Sequence, residues 1–145
     1  MFKKLYLALI LILASSCGGG ASTPDINFDT VTDEGYPYAY GFYDVVYNNC
    51  ADELGQIYYV GIEQNEENLY LVGYDDDYDE YGYYEVNSAY GKISKGGIIE
   101  IDHDVFDCSG QFDGATIPLK CSWADSYREQ EGFNQKSCDF ELEQY

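Results

Sequence analysis

From residue 36 onward, Tyr, Val, Ile and Phe recur in short runs separated by Gly, Asn and Asp, and no long stretch places apolar side chains at helical spacing. The pattern predicts strands near residues 40–48, 56–63, 68–74, 83–87, 89–94, 98–103, 106–112, 115–123 and 136–143. Turn chemistry separates neighbours at Asn65-Glu66-Glu67-Asn68, Lys95-Gly96-Gly97 and Asp113-Gly114. A type I′ turn at Asp113-Gly114 would pair Phe112 with Ala115, Gly110 with Ile117, Cys108 with Leu119 and Phe106 with Cys121. Side chains alternate along a strand, so all eight share one face, and Asp107, Ser109, Gln111, Thr116, Lys120 and Ser122 take the other. Trp123 extends the apolar face, and Cys138, Phe140 and Leu142 repeat it against Asp139, Glu141 and Glu143. Such alternation belongs to antiparallel sheets with one wet side. About eight strands joined by short turns predict an all-β fold, an antiparallel up-and-down β-barrel that removes its own edges, with a β-sandwich as the alternative.

Residues 1–16 have a different character: Lys3 and Lys4 precede an apolar run from Leu5 to Leu13 and then small residues. This is the layout of a secretory signal peptide, and the run is shorter than the roughly 20 apolar residues a membrane-spanning helix needs. Leu13-Ala14-Ser15-Ser16-Cys17 resembles the lipobox of bacterial lipoproteins. The resemblance implies diacylation, of the palmitate kind, on Cys17, which becomes the mature N-terminus. Gly18-Gly19-Gly20-Ala21-Ser22-Thr23-Pro24 reads as a flexible tether, so the expected organisation is signal 1–16, lipidated cysteine and tether 17–35, and barrel 36–145. The implied location is the cell envelope, at the outer membrane, on its periplasmic or surface face.

Composition narrows the partners. Among 145 residues, 27 Asp and Glu face 7 Lys and Arg, a formal charge of −20, and loss of Lys3 and Lys4 with the signal deepens it. So acidic a surface repels phosphate backbones, which excludes nucleic acid as an expected partner. A hydrophobic content of 46% and an aromatic content of 17% distinguish the chain from a disordered acidic tail. The expected contacts are a membrane through the N-terminal lipid, and either a small hydrophobic ligand or an envelope protein.

Five segments stand out: Gly41-Phe42-Tyr43-Asp44-Val45-Val46-Tyr47-Asn48-Asn49-Cys50, Ile62-Glu63-Gln64-Asn65, Cys108-Ser109-Gly110-Gln111-Phe112-Asp113-Gly114, Cys121-Ser122-Trp123 and Cys138-Asp139-Phe140. Together they resemble the small lipocalin-like lipoproteins of bacteria. The resemblance implies an up-and-down barrel and carries over no catalytic residue.

With Cys17 set aside, Cys50, Cys108, Cys121 and Cys138 form an even set suited to disulfides in an oxidising compartment. Four cysteines allow three pairings, and the sequence alone does not choose among them. In the register above, Cys108 and Cys121 are diagonal neighbours roughly 7 Å apart, too far for a disulfide. That register favours Cys121 with Cys138 and Cys50 with Cys108. No two of these cysteines have the short spacing of a zinc site.

Three features could carry chemistry. Asp75, Asp77 and Asp79 alternate as calcium ligands do, but Glu80 occupies the position where an EF-hand loop needs Gly, and a solvated acidic turn is the preferred reading. His103 lies between Asp102 and Asp104, yet it alternates with Ile99, Ile101 and Val105, which predicts a core histidine and a bend before Phe106. No nucleophile motif accompanies it and no carboxylate pair is singled out, so the chain reads as non-catalytic, without a cofactor, and a hydrolase is the residual alternative. Finally, fourteen of the 17 tyrosines cluster at Tyr36, Tyr38, Tyr40, Tyr43 and Tyr47 and again between Tyr58 and Tyr90. Strand propensity explains them most simply, with a contact surface as the functional reading. The expected function is a lipid-anchored envelope binding module, or else an interaction lipoprotein whose barrel is filled by its own side chains.

Overall fold

The computed structural model describes residues 31–79 and 82–145, with the side chains of Tyr78 and Asp79 left aside. The predicted signal segment 1–16, the lipidation candidate Cys17 and the tether as far as residue 30 lie outside the described residues. Among those described, eight strands run β1 Gly41–Asn48, β2 Tyr59–Asn65, β3 Asn68–Asp79, β4 Gly82–Ile93, β5 Ile98–Asp102, β6 Phe106–Gln111, β7 Thr116–Trp123 and β8 Ser137–Gln144. Each pairs antiparallel with the next, and β8 pairs with β1, so the sheet closes into a barrel. The fold is the all-β up-and-down barrel that the alternation predicts.

The inward positions are those that the period-two pattern selects. Tyr43, Ile62, Leu69, Ile93, Ile99, Ile117 and Leu142 are among the most deeply buried side chains. Tyr43 is wholly enclosed and its hydroxyl donates to the Ala39 carbonyl at 2.9 Å. Burial of that phenol, where its anion would lose hydration, pushes its pKa up from 10.0 to about 12.

The two mouths are closed differently. At the mouth where β1 begins, residues 31–40 fold across the β2–β3 loop. Gln64 accepts from Ala39 N–H at 2.7 Å and donates to Pro37 O at 3.0 Å, while Thr32 donates to the Glu66 carboxylate at 2.6 Å. Residues 31–35, placed in the tether by composition, are thus hydrogen-bonded to the body, and Val31 bridges Pro37. At the opposite mouth a 3₁₀ turn, Asp52–Gln56, drops buried Leu54 over the barrel, with buried Ile57 just after it. Asn48 donates to Leu54 O at 2.7 Å, and Gln135 bridges Ala51 N–H at 2.6 Å and Asn49 O at 2.7 Å. Gly73 leaves the space Ile57 needs, since a Cβ there would stand 2.6 Å from Ile57 Cδ1.

Four local expectations change. The Asp113-Gly114 turn is displaced by one residue: Gly114, at φ +106°, and Ala115 are central, and Asp113 N–H donates to Thr116 O at 3.2 Å. Asp113 works through its carboxylate instead, accepting from the amides of Ala115 at 3.0 Å and Thr116 at 2.8 Å and from the Thr116 hydroxyl at 2.9 Å. The resulting register pairs Phe106 with Trp123, Cys108 with Cys121 and Gly110 with Leu119. Each partner moves by two, so every face is kept and every predicted pair is replaced.

The disulfide pairing is corrected by the same shift. Cys108 bonds Cys121, a directly opposed pair with Cα atoms 4.0 Å apart, and Cys50 bonds Cys138. Cys121 and Cys138 are themselves register partners on β7 and β8, so Cys108, Cys121 and Cys138 form one inward row, and Cys50, just beyond β1, bonds its β8 end with the two bridges side by side.

The predicted strands 83–87 and 89–94 are one strand, β4, in which Val86 is an extra residue between Glu85, opposite Tyr74, and Asn87, opposite Gly73. This bulge switches the alternation phase and makes one strand read as two. Lastly, residues 125–131 form a short helix, α1 Asp125–Glu131, ended by Gly132 at φ +75°. It places Tyr127 against Trp123, ring centroids 5.7 Å apart, with Phe133 against the same indole at 5.3 Å.

Candidate functional site

A barrel of this size either holds a small ligand or fills itself with side chains. Here the interior is filled. The cavity left among Leu54, Ile57, Val60, Leu71, Phe140 and Leu142 measures about 50 Å³. Ligand pockets for drug-sized molecules run to roughly 300–1,000 Å³. The space among those residues suits a water or two, and its lining is apolar.

The outer surface of β1–β5 is different. Reading across the strands, Asp44 is the partner of Tyr59, Tyr59 of Tyr74, and Tyr74 of Glu85. Farther along the same face, Glu63 is the partner of Tyr70, Tyr70 of Tyr90, and Tyr90 of Asp102. Both rows are therefore a pair of tyrosines with a carboxylate at either end. Each row spans three interstrand spacings, roughly 14 Å, and the rows are four residues apart along β2, roughly 13 Å.

Phe42 lies between the rows and joins the first of them. Its ring centroid is 5.9 Å from Tyr59, 5.9 Å from Tyr74 and 6.3 Å from Tyr83, and Tyr59 and Tyr83 are 4.9 Å apart. Gly61, next to Phe42 across the β1–β2 ladder, lies beneath those rings, where a Cβ would make ordinary van der Waals contact with Tyr74 at 3.5 Å and Phe42 at 3.7 Å. In the second row Tyr70 and Tyr90 stand 5.0 Å apart, and Tyr90 is 72% exposed. Exposed aromatic groups forming a continuous patch are uncommon on a folded surface and mark contact sites.

The electrostatics follow the same rows. The Tyr59 hydroxyl is pushed above its ordinary value by the neighbouring Tyr83 phenol, by desolvation and by the carboxylates of Asp44 and Asp76. Tyr74 is raised by desolvation and then by Glu85, Tyr70 and Glu63. At neutral pH these phenols are neutral hydrogen-bond donors beside ionised carboxylates.

The residues singled out in the sequence are distributed as follows. Cys50, Cys108, Cys121 and Cys138 are all bridged. His103 sits in the β5–β6 bend, half-buried, its ring stacked on Phe106 at 4.4 Å and its Nδ1 accepting from Val105 N–H at 3.3 Å. Asp75 and Asp77 belong to β3, with Asp75 accepting from the Asp77 amide at 3.0 Å, so the acidic run is strand and not the expected turn. Among the described residues no group of three or more His, Cys, Asp or Glu side chains is placed to hold a metal ion. Also among them, no helix is long and apolar enough to cross a membrane.

The tyrosine rows are what sequence reading misses. Their members are scattered from residue 44 to residue 102, and only the ladder register aligns them. No family model, curated protein or solved structure matches the chain.

Proposed function

We propose that this chain is a non-catalytic binding module of the cell envelope, held to the membrane by acylation of Cys17, that works through the outer face of β1–β5. The observation that carries the reading is the contrast between a cavity of about 50 Å³ inside the barrel and a continuous aromatic surface outside it. The cysteine staples and the signal-like segment ending at Cys17 support a location beyond the cytoplasm. The likeness to small lipocalin-like lipoproteins supports the barrel and the anchor; the filled interior favours a partner on the outside over a carried ligand.

Two measurements test this. Mass spectrometry of the mature N-terminus is expected to find Cys17 acylated, and an unmodified Cys17 overturns the anchor. The second is titration of the full chain carrying Cys17→Ser with a long-chain fatty acid, followed by NMR. The expected outcome is no saturable change at Leu71, Phe140 and Leu142, and saturable changes there overturn the outer-face reading.

A further inference from the structure

We propose that the partner of this face is a cationic polypeptide segment, whose Lys or Arg side chains lie over the tyrosine rings and end on the carboxylates that bracket each row. The inference rests on the outer-face reading above and names its ligand class.

Negative charge is placed at both ends of each row. Asp44 and Glu85 close the row through Tyr59 and Tyr74, and Glu63 and Asp102 close the row through Tyr70 and Tyr90. No Lys or Arg is a member of either row. Of the five basic residues described, Lys92 is engaged by Glu67 at 2.9 Å, Lys95 lies 5.2 Å over the Tyr36 ring, Lys120 is 3.7 Å from Asp139, Arg128 pairs with Asp125, and Lys136 is exposed just before β8. The rows thus combine ring faces, which attract cations through their quadrupole, with carboxylates that form no ion pair with a described Lys or Arg.

The spacing of the rows points the same way. Cationic side chains roughly 13 Å apart, four residues along an extended peptide, would meet both rows at once. Long basic side chains suit the rings because their aliphatic stems cover apolar surface while the charged head reaches a carboxylate. A chain whose formal charge is −20 also concentrates cations near its surface and repels anionic polymers. Lys95 over Tyr36 shows the same pairing of cation and phenol within this molecule.

The test is calorimetric titration of the full chain carrying Cys17→Ser with a short oligoarginine peptide at physiological ionic strength. NMR locates the contact, and chitohexaose and a fatty acid are titrated in parallel. Oligoarginine is expected to bind saturably with changes at Tyr59, Tyr74 and Tyr90. Replacing Tyr59→Ser and Tyr90→Ser together, which leaves net charge unaltered, is expected to weaken it roughly tenfold. Tyr90→Ser alone, at a side chain too exposed to matter for folding, is expected to weaken it a few-fold. Glu129→Gln, exposed on α1 and outside both rows, is expected to leave affinity unchanged.

Affinity that follows net charge alone, equal for Glu129→Gln and Asp44→Asn and indifferent to the tyrosines, overturns the proposal. Changes in the rows with chitohexaose but not with oligoarginine also overturn it while leaving the outer-face reading in place. Occupation of the interior by the fatty acid overturns that reading itself.

Discussion

The Tyr43 hydroxyl gives the sharpest test of how the barrel is closed. It is enclosed, it donates to the Ala39 carbonyl at 2.9 Å, and its pKa is pushed from 10.0 to about 12. Tyr43→Phe removes the donor and leaves a buried carbonyl unpaired, which costs about 1–2 kcal/mol at neutral pH. The alkaline behaviour has the opposite sign. A raised pKa means that the native state holds its proton while the unfolded chain has already released it. The stabilisation is therefore complete below pH 10 and is lost as pH rises from 10 toward about 12. After allowance for solvent screening, the native protein loses about 1 kcal/mol between pH 10 and 11 through this one group. Tyr43→Phe has no such group, so its deficit shrinks and closes over that interval. Repulsion among the other phenolates acts on both proteins and cancels in the comparison. The assay is urea unfolding followed by fluorescence of Trp123, the only tryptophan, which packs against Phe106, Tyr127 and Phe133. Unfolding curves for the two proteins that fall in parallel from pH 9 to 11 would refute the buried, neutral phenol and with it the seating of Ala39 over the mouth.

Other substitutions probe the remaining devices. Gly73→Ala puts a Cβ 2.6 Å from Ile57 Cδ1, and the overpacking is expected to cost about 1–3 kcal/mol in urea, with Ile57→Val relieving part of it in the double variant. Cys50→Ser opens an 88-residue loop and Cys108→Ser a 13-residue one, so chain entropy assigns them about 4.6 and about 2.9 kcal/mol respectively. In Cys50→Ser the released Cys138 thiol faces its register partner Cys121, and peptide mapping after incubation at pH 8 is expected to find Cys121–Cys138 with Cys108 free. A stable Cys108–Cys121 bond in that variant would count against the side-by-side arrangement. Asp113→Ala is expected to lower Tm at neutral pH. The Thr116 and Ala115 amides hold the Asp113 carboxyl below its ordinary 3.8, so the gap to the parent protein narrows as pH falls through that range.

Sidedness was legible in the residues because burial imposes a period of two wherever one face of a strand is wet. Phe106, Cys108, Ile117, Leu119, Cys121 and Trp123 all point inward as the alternation predicts. Register was not, because Asp113-Gly114 supports two phases of tight turn, and the choice depends on whether Asp113 adopts positive φ or captures amides with its carboxylate. Disulfide pairing follows register, and a shift of two turns Cys108 and Cys121 from a diagonal pair into an opposed one. Helix α1 escaped notice because it is two turns long and carries a single aromatic, Tyr127, so no stripe exists to be read; Gly132 was its available signal. The tyrosine rows are a property of the ladders. Asp44, Tyr59, Tyr74 and Glu85 are successive partners only after β1–β4 have aligned, so no window along the chain contains them.

The unequal fastening of the two mouths has a mechanical side. At the far mouth a covalent bond, Cys50–Cys138, pins the cap to β8. At the near mouth residues 31–40 are held through the side chains of Gln64 and Glu66 and through Tyr43. Tension reaching the body from the Val31 side meets these bonds one after another, Thr32 before Ala39. The strand β1 behind them is gripped by two ladders that resist in parallel. Under load the segment is therefore expected to peel before the shell opens, since its bonds break singly while two ladders share the strain.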